Sequence, residues 1–331
     1  MQPFKYTRAT EPGMAVKAVS AAGDDAKFIA GGTNILDLMK EGVESPTQLI
    51  DISRLNLTQI RSTTTGISIG ALAKNTDTAN HPLVRQGYPL LTQAILAGAS
   101  AQIRNMATNG GNLLQRTRCP YFYDVSMPCN KRQPGSGCGA IEGINRNHAI
   151  FGWSDKCIAV HPSDMCIALA ALDAVVKVQG ADGKERSVPF AEFHRLPGDS
   201  PEKDNNLQHG ELITAIEIPK SNFAANSYYL KVRDRASYAF ALVSVAAALD
   251  LNGNTIKQAR IAMGGVAHKP WRATEAEKLL VGKTASEENF AAAAEAEMKA
   301  AKPFEHNKFK VELGERAIVH ALRRAANLKA A

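Results

Sequence analysis

Residues 118–166 read RCPYFYDVSMPCNKRQPGSGCGAIEGINRNHAIFGWSDKCIAVHPSDMC and contain all five cysteines of the chain. Four prolines and five glycines interrupt the stretch, which predicts irregular backbone rather than a long helix or strand before Pro162. A loop of this length needs something other than regular hydrogen bonding to hold it. Its cysteines could supply that hold through two disulfides, a zinc ion or an iron–sulfur cluster.

Successive cysteines are separated by 9, 8, 18 and 8 residues, so the chain has no CxxC pair of the kind that structural zinc sites use. Four isolated thiolates can hold a [4Fe–4S] cube, because each iron needs one of them. Cys166 lies in an apolar segment that Ser163 would cap as a helix, where a cysteine is commonly a small buried hydrophobe. The candidate metal ligands are therefore Cys119, Cys129, Cys138 and Cys157, with cluster, zinc and disulfides all open on the residues alone.

Two glycine-rich segments precede the cysteines. Residues 27–34, KFIAGGTN, read as a strand and a glycine turn, and a helical segment follows at 35–40. Such a junction lets backbone N–H groups face a phosphate, although a tight turn capped by Asn34 fits equally well. Residues 108–112, TNGGN, could pass under a ring system or phosphate, or form a bulge or turn between strands. Neither segment matches GxGxxG or the P-loop pattern.

Bulk properties exclude several classes of protein. The chain has 331 residues, 45% of them hydrophobic and 21% charged, which is ordinary for a soluble protein of two or three domains. Its net charge is +7, but the basic residues are scattered and not interleaved with aromatics, so we expect no nucleic-acid binding. The first residues lack an apolar region, and no run approaches 18 apolar residues. The residues alone thus predict a cytoplasmic chain without a cleavable signal or membrane span.

The periodicity predicts a change of architecture along the chain. Strand, helix and strand open it, and further strands are predicted at 47–51 and 66–71, with helices at 75–80 and 89–100. From residue 227 onward, alternating residues predict an antiparallel meander at 228–233, 239–250 and 258–263. Alanine-rich helical segments follow at 273–280, 286–301 and 311–329.

Five motifs in order carry a family resemblance. They are AGGTN at 30–34 with Leu36, IRNMATNGGNL at 103–113, the Ser163-Asp164 pair, KVRDRAS at 231–237 and GGVA at 264–267. This pattern resembles the FAD-binding (medium) subunits of the xanthine dehydrogenase family of molybdenum hydroxylases, from residue 3 to about 320. The 50 residues between Asn112 and Ser163 resemble the insertion of periplasmic aldehyde oxidoreductase FAD subunits, which carry an extra [4Fe–4S] cluster. Benzoyl-CoA-type reductases of the same family have a cluster-bearing insertion there too.

The resemblance implies an α+β fold. A two-lobed FAD-binding domain of the PCMH/vanillyl-alcohol-oxidase type would span 1–60 and 61–222, with the cysteine insertion at about 115–160. A C-terminal domain at 223–331 would contain an antiparallel three-stranded sheet with helices. By resemblance, FAD would contact Lys27, Phe28, Ile29, Ala30, Gly31, Gly32, Thr33, Asn34, Ile35, Thr108, Gly111, Asn112, Asp164, Ile213 and Lys231. The same resemblance favours the cluster over zinc, and Arg116 and Arg118 could compensate its thiolate charge.

The implied function is electron transfer, with no catalytic residue on this chain. A large subunit with molybdopterin and a small subunit with [2Fe–2S] centres would complete a heterotrimer that oxidises aldehydes, and FAD would pass the electrons to an external acceptor. The alternatives are the flavoprotein subunit of a 4-hydroxybenzoyl-CoA-reductase-like or xanthine-dehydrogenase-like enzyme, or a zinc-stapled binding protein. The resemblance also implies a periplasmic location, reached by co-export with a partner that carries the signal.

Overall fold

The structure, a computed structural model, describes residues 1–328. Three sheets contain the strands β1 Lys5–Arg8, β2 Ala26–Ile29, β3 Gln48–Asp51, β4 Ile60–Ser62, β5 Gly66–Gly70, β6 Val175–Gln179, β7 Glu185–Pro189, β8 Leu212–Pro219, β9 Ser227–Val232, β10 Val243–Asn252, β11 Thr255–Gly264 and β12 Trp271–Arg272. The helices are α1 Pro12–Ala22, α2 Ile35–Lys40, α3 Asn75–Asn80, α4 Pro82–Gly87, α5 Pro89–Ala97, α6 Ala101–Met106, α7 Asn109–Leu113, α8 Pro120–Tyr123, α9 Gly139–Glu142, α10 Asp164–Ala171, α11 Phe190–Phe193, α12 Thr274–Leu280, α13 Glu287–Met298 and α14 Phe309–Ala325.

The first lobe is a small parallel sheet of order β1-β3-β2 covered by α1. Pro12 starts α1 at a position where a missing N–H costs nothing, and the helix buries Ala15, Val16 and Val19 against the sheet. Helix α2 begins directly after the glycine turn that ends β2, with the bounds that the sequence predicts. This arrangement places the turn at one edge of the lobe.

The second lobe is a five-stranded antiparallel sheet of order β4-β5-β8-β6-β7. Its core joins Ile69 and Ile216 of the sheet to apolar residues of α5 and α10. Ser163 caps α10, as predicted, because its hydroxyl accepts a hydrogen bond from the Cys166 N–H at 3.1 Å. The same helix therefore anchors the lobe and presents Asp164 at its first turn.

The C-terminal sheet has four strands in the order β12-β11-β10-β9, all antiparallel. The three-stranded prediction omitted β12, which has two residues and is too short to show periodicity. Helices α12, α13 and α14 cover one face of the sheet, and alternate residues of β10 are buried beneath them.

The mixed architecture confirms the α+β prediction. The division at 1–60, 61–222 and 223–331 stays a prediction, and Lys329 of the predicted last helix lies outside the described residues.

The cysteine stretch is irregular, as predicted, with only the four-residue helices α8 and α9 before α10. It crosses from the second lobe to the C-terminal domain, where the Ile150 N–H donates to the Val266 carbonyl at 2.8 Å and the His161 N–H to the Ala267 carbonyl at 3.0 Å. Across residues 1–328, no helix combines the length and apolar character that crossing a bilayer requires.

Candidate functional site

The two glycine segments touch each other. A β-carbon on Gly31 would lie 2.0 Å from the Met106 carbonyl oxygen, just before the second segment, and Gly32 has a φ of +73°. Only glycine fits such a contact and such a backbone. In the described part of the chain, no backbone acceptor receives the N–H groups of Gly31, Gly32 or Thr33. These N–H groups are therefore available to a phosphate.

The second segment is the short helix α7, not the bulge or turn between strands that was the alternative interpretation. Thr108 caps it by accepting a hydrogen bond from the Gly111 N–H at 3.3 Å. The Gly110 N–H donates to the Ala71 carbonyl at 2.7 Å, and a β-carbon on Gly110 would lie 3.2 Å from that of Ala71 and 3.7 Å from that of Ile213. The glycines thus let α7 pack directly on the second-lobe sheet, beside Ile213.

Asn112 connects this helix to the rest of the site. Its side-chain oxygen accepts a hydrogen bond from the Ser163 hydroxyl at 2.5 Å, and its amide group donates to Asn75 Oδ1 at 2.8 Å.

Asn34, at the start of α2, accepts a hydrogen bond from the Arg116 N–H at 2.9 Å, whereas its buried Nδ2 has no partner among the described residues. A buried amide donor without a partner is costly, which fits a ligand that supplies the acceptor.

Asp164 and Lys231 form a buried ion pair. Their Nζ–Oδ2 distance is 2.7 Å, and their side chains are 7% and 5% exposed. The Tyr229 hydroxyl donates to Asp164 Oδ1 at 2.7 Å, and Lys231 also donates to the Ala97 carbonyl at 3.1 Å. Sequence reasoning missed Tyr229. Its signal was the spacing of two from Lys231 on β9, which puts both side chains on one face of the strand.

A cavity opens beside this pair. Ser163, Asp164 and His161 line one wall, and Gly264, Gly265 and the half-exposed Phe240 line another. The predicted contact residues thus fall in two groups. Asp164 lines the cavity and Lys231 is paired with it, whereas Thr108 caps α7, Gly111 lies within α7 and the turn at 30–34 precedes α2. Lys27, Phe28 and Ile29 lie on β2, and Ile35 begins α2.

All four predicted ligand cysteines line one small cavity, and all are free thiols. Cys129 and Cys138 pair across an isolated antiparallel bridge. Burial raises the pKa of Cys119 to about 12 and that of Cys157 to about 11, so these thiols ionise only beside positive charge. A metal cation would supply such charge, and four thiols at one cavity are the donor set of a structural zinc ion as well as of a [4Fe–4S] cluster. The residues present therefore fit this group.

The cations near the thiols differ from those predicted. Arg116 contacts Asp204 and Glu44 at 2.8 and 2.7 Å, and Arg118 contacts Asp37 at 2.7 Å, so carboxylates already balance both guanidinium groups. Lys131, which sequence reasoning missed, is nearly fully buried, lines the cysteine cavity and also pairs with a carboxylate, Asp204, at 2.6 Å. Its charge acts to lower the pKa of Cys157, against the larger effect of burial. Lysine followed by arginine in a polar loop gave no sign of this burial.

Cys166 is fully buried in α10, as predicted, and does not line the cysteine cavity. Its Sγ and the ring nitrogens of His161 and His194 come within 4.8 Å of one another. Burial raises the pKa of Cys166 to about 12 and lowers the pKa values of both histidines, so all three side chains are neutral at pH 7. The group is part of the packed interior between α10 and α11.

Breaking the Asp164–Lys231 pair is expected to destabilise the chain strongly. Asp164→Ala leaves a buried ammonium group without its counter-charge, which costs about 3–5 kcal/mol. The double variant Asp164→Leu/Lys231→Met removes both charges and should recover most of that loss. Urea unfolding of the three proteins measures the difference. A single variant within about 1 kcal/mol of the wild type would show that the pair is not a closed, buried one.

Because of Lys310 of α14, we expect the free energy of unfolding to depend on pH. Its ammonium group donates to the carbonyls of His148 at 3.0 Å and Gly265 at 2.7 Å, and burial lowers its pKa from 10.5 to about 7. Between about pH 7 and 10.5 the unfolded chain holds a proton that the folded chain has lost. Stability from this group therefore rises with pH across that window, by up to about 1.4 kcal/mol per pH unit. Lys310→Met should flatten the pH profile of the unfolding free energy there, and parallel profiles would contradict this.

Comparison with known proteins agrees with the geometry. The family described as FAD binding domain in molybdopterin dehydrogenase matches residues 2–221, and the CO dehydrogenase flavoprotein C-terminal domain matches residues 228–326. The aldehyde oxidoreductase FAD-binding subunit PaoB of Escherichia coli is 49% identical over 327 residues, covering 98% of this chain and 99% of the relative. The glyceraldehyde dehydrogenase medium chain of Sulfolobus acidocaldarius is 32% identical, covering 85% of this chain and 82% of the relative.

A solved structure shows the same fold. A chain of carbon monoxide dehydrogenase from Hydrogenophaga pseudoflava, in a form that lacks the Mo-pyranopterin moiety, superposes with a TM-score of 0.78 at 26% identity. The match covers 99% of both chains. The chain therefore belongs to the FAD-binding subunits of the molybdenum hydroxylase family of oxidoreductases.

Proposed function

We propose that this chain binds FAD and a [4Fe–4S] cluster and transfers electrons within a molybdenum-dependent aldehyde oxidoreductase. One observation carries the proposal: Cys119 lines both the four-cysteine cavity and the cavity that contains Asp164. A cluster held by the four thiols would thus share a wall with the flavin side of the site. FAD, when bound, accepts and releases electrons singly or in pairs, which suits a link between one-electron centres and an external acceptor.

The chain's own residues bind and orient the two groups. The free N–H groups of residues 31–33 and the amide of Asn34 would hold the pyrophosphate, and Asp164 would accept from ribityl or ribose hydroxyls. By resemblance, Lys231 would contact FAD. Because Asp164 lies 2.7 Å from it, the pair carries little net charge, so Lys231 would act on the flavin chiefly as an oriented N–H donor and less through its positive charge. Cys119, Cys129, Cys138 and Cys157 would be the cluster ligands.

The substrate chemistry belongs to partner subunits. Curated relatives are named as FAD-binding or medium subunits of aldehyde oxidoreductase and glyceraldehyde dehydrogenase, which supports an aldehyde as the reductant. A large subunit with molybdopterin and a small subunit with [2Fe–2S] centres would complete a heterotrimer. No general base is required on this chain, because electron transfer to and from FAD needs only binding and orientation.

A periplasmic location of the chain is part of the same proposal. The resemblance to periplasmic aldehyde oxidoreductases supports export of the folded chain together with a partner that carries a signal. Fractionation of cells that produce all subunits tests this point. We expect the chain in the periplasmic fraction when the partner's signal is intact and in the cytoplasm when that signal is deleted; an unchanged distribution would contradict co-export.

Aldehyde-driven reduction of the flavin tests the proposed function. Under anaerobic conditions an aldehyde should bleach the flavin absorbance of the complete complex, whereas the isolated chain should stay oxidised. A complex that leaves its flavin oxidised with every aldehyde tried, or an isolated chain that oxidises aldehyde, would contradict the assignment. Reduction of an aromatic thioester by the complex, without aldehyde oxidation, would favour the reductase alternative.

A further inference from the structure

His148 contacts one of the four cysteines directly. Its Nε2 lies 3.1 Å from Cys119 Sγ, and the imidazole is almost fully buried. Cys119 is also the cysteine that lines both cavities, and His148 lines the Asp164 cavity next to it. The histidine therefore touches the proposed cluster at the ligand that faces the flavin side.

If Cys119 binds iron, the donor and the acceptor of this hydrogen bond are both defined. An iron-bound sulfur carries no proton, so the hydrogen must come from Nε2 of the histidine. Nδ1 is then an unprotonated lone pair, which agrees with its burial without a hydrogen-bond partner in residues 1–328. The tautomer that donates to sulfur is thus the one that the surroundings of the ring favour.

The backbone around His148 is fixed by the C-terminal domain. The His148 carbonyl accepts hydrogen bonds from Lys310 Nζ at 3.0 Å and from Asn307 Nδ2 at 3.2 Å, and both of these side chains are completely buried. Its N–H donates to the Asn145 carbonyl at 3.0 Å. The backbone that carries the ring is therefore held by α14 and the segment before it as well as by Asn145 of the cysteine stretch.

We infer that His148 is a positioning residue that sets the reduction potential of the cluster through its hydrogen bond to Cys119. A hydrogen bond to a ligand sulfur stabilises the more negative, reduced cluster and raises its potential. This inference rests on the proposed function, since it requires the cluster. It adds that the C-terminal domain controls the reduction potential of the cluster through one imidazole, which contacts Cys119.

Redox titration of His148 variants tests the inference, with the cluster followed by low-temperature electron paramagnetic resonance. His148→Phe keeps a ring of similar size without a donor, and we expect full iron content with a midpoint potential below that of the wild type. His148→Gln offers an amide N–H near the position of Nε2 and should titrate between the two. His320→Phe, on the exposed face of α14, is the matched control and should leave the potential unchanged.

The outcomes separate this inference from the proposed function. An iron-free wild type would overturn the proposed function itself. A His148→Phe protein with full iron and an unchanged or higher potential would overturn the inference alone. If His148→Phe loses its iron, His148→Leu provides a second donor-free variant. Loss of iron from both, with retention in His148→Gln, would show that the histidine holds the loop instead of tuning the potential.

Discussion

Cys138→Ser is expected to remove nearly all iron from the chain. A cluster held by Cys119, Cys129, Cys138 and Cys157 loses one of its four thiolates, and burial in the small cavity leaves no neighbouring thiol to replace it. Because the irregular loop has little regular hydrogen bonding, we also expect a lower melting temperature and poorer solubility. Iron analysis of the anaerobically purified chain measures the first effect.

Cys166→Ser is the matched control for that variant. Cys166 is buried in α10 and lies outside the cysteine cavity, so its replacement should leave iron content unchanged at a modest cost in stability. Unchanged iron in Cys138→Ser, or lost iron in Cys166→Ser, would show that the ligand set is wrong.

Gly31→Ala is expected to lower FAD content at least about tenfold, which corresponds to a loss of about 1.4 kcal/mol in binding. The added β-carbon would overlap the Met106 carbonyl oxygen, at 2.0 Å, and would force the two glycine segments apart. The backbone of residues 31–33, whose N–H groups have no backbone acceptor among the described residues, would shift with them. Flavin absorbance per chain, after equilibration with excess FAD and gel filtration, measures the loss.

The control for this variant is Gly13→Ala. Gly13 lies in α1, and its β-carbon would have no neighbour within 4 Å, so alanine should be neutral or slightly stabilising. FAD content equal to that of the wild type in Gly31→Ala would contradict the cradle assigned to the turn.

Local signals predicted much of this structure. The glycine pairs, the helix at Ile35–Lys40 and the Ser163 cap on α10 depend on neighbouring residues, and each appears where the sequence indicates it. The clustering of four cysteines was predicted from loop composition and family resemblance together. Several strands were missed: the two residues of β12 and the three of β4 show no period, and the longer β6, β7 and β8 were not predicted either.

Contacts between distant segments could not be predicted. Lys310 reaches the His148 carbonyl across 162 residues of chain, and Tyr229 reaches Asp164 across 65. A lysine in an amphipathic helix reads as solvated surface, and only the packed structure shows that it is buried. The same limit applies to Arg116, whose proximity to the cysteines in sequence suggested charge compensation, whereas the fold places Asp204 and Glu44 beside it.

Metal analysis of the wild-type chain, purified alone and anaerobically, tests the central claim most directly. We expect about four iron atoms per chain, in keeping with one [4Fe–4S] cluster, and no stoichiometric zinc. About one zinc per chain with no iron would contradict it, because the four thiols would then hold a structural ion and not an electron carrier beside the flavin.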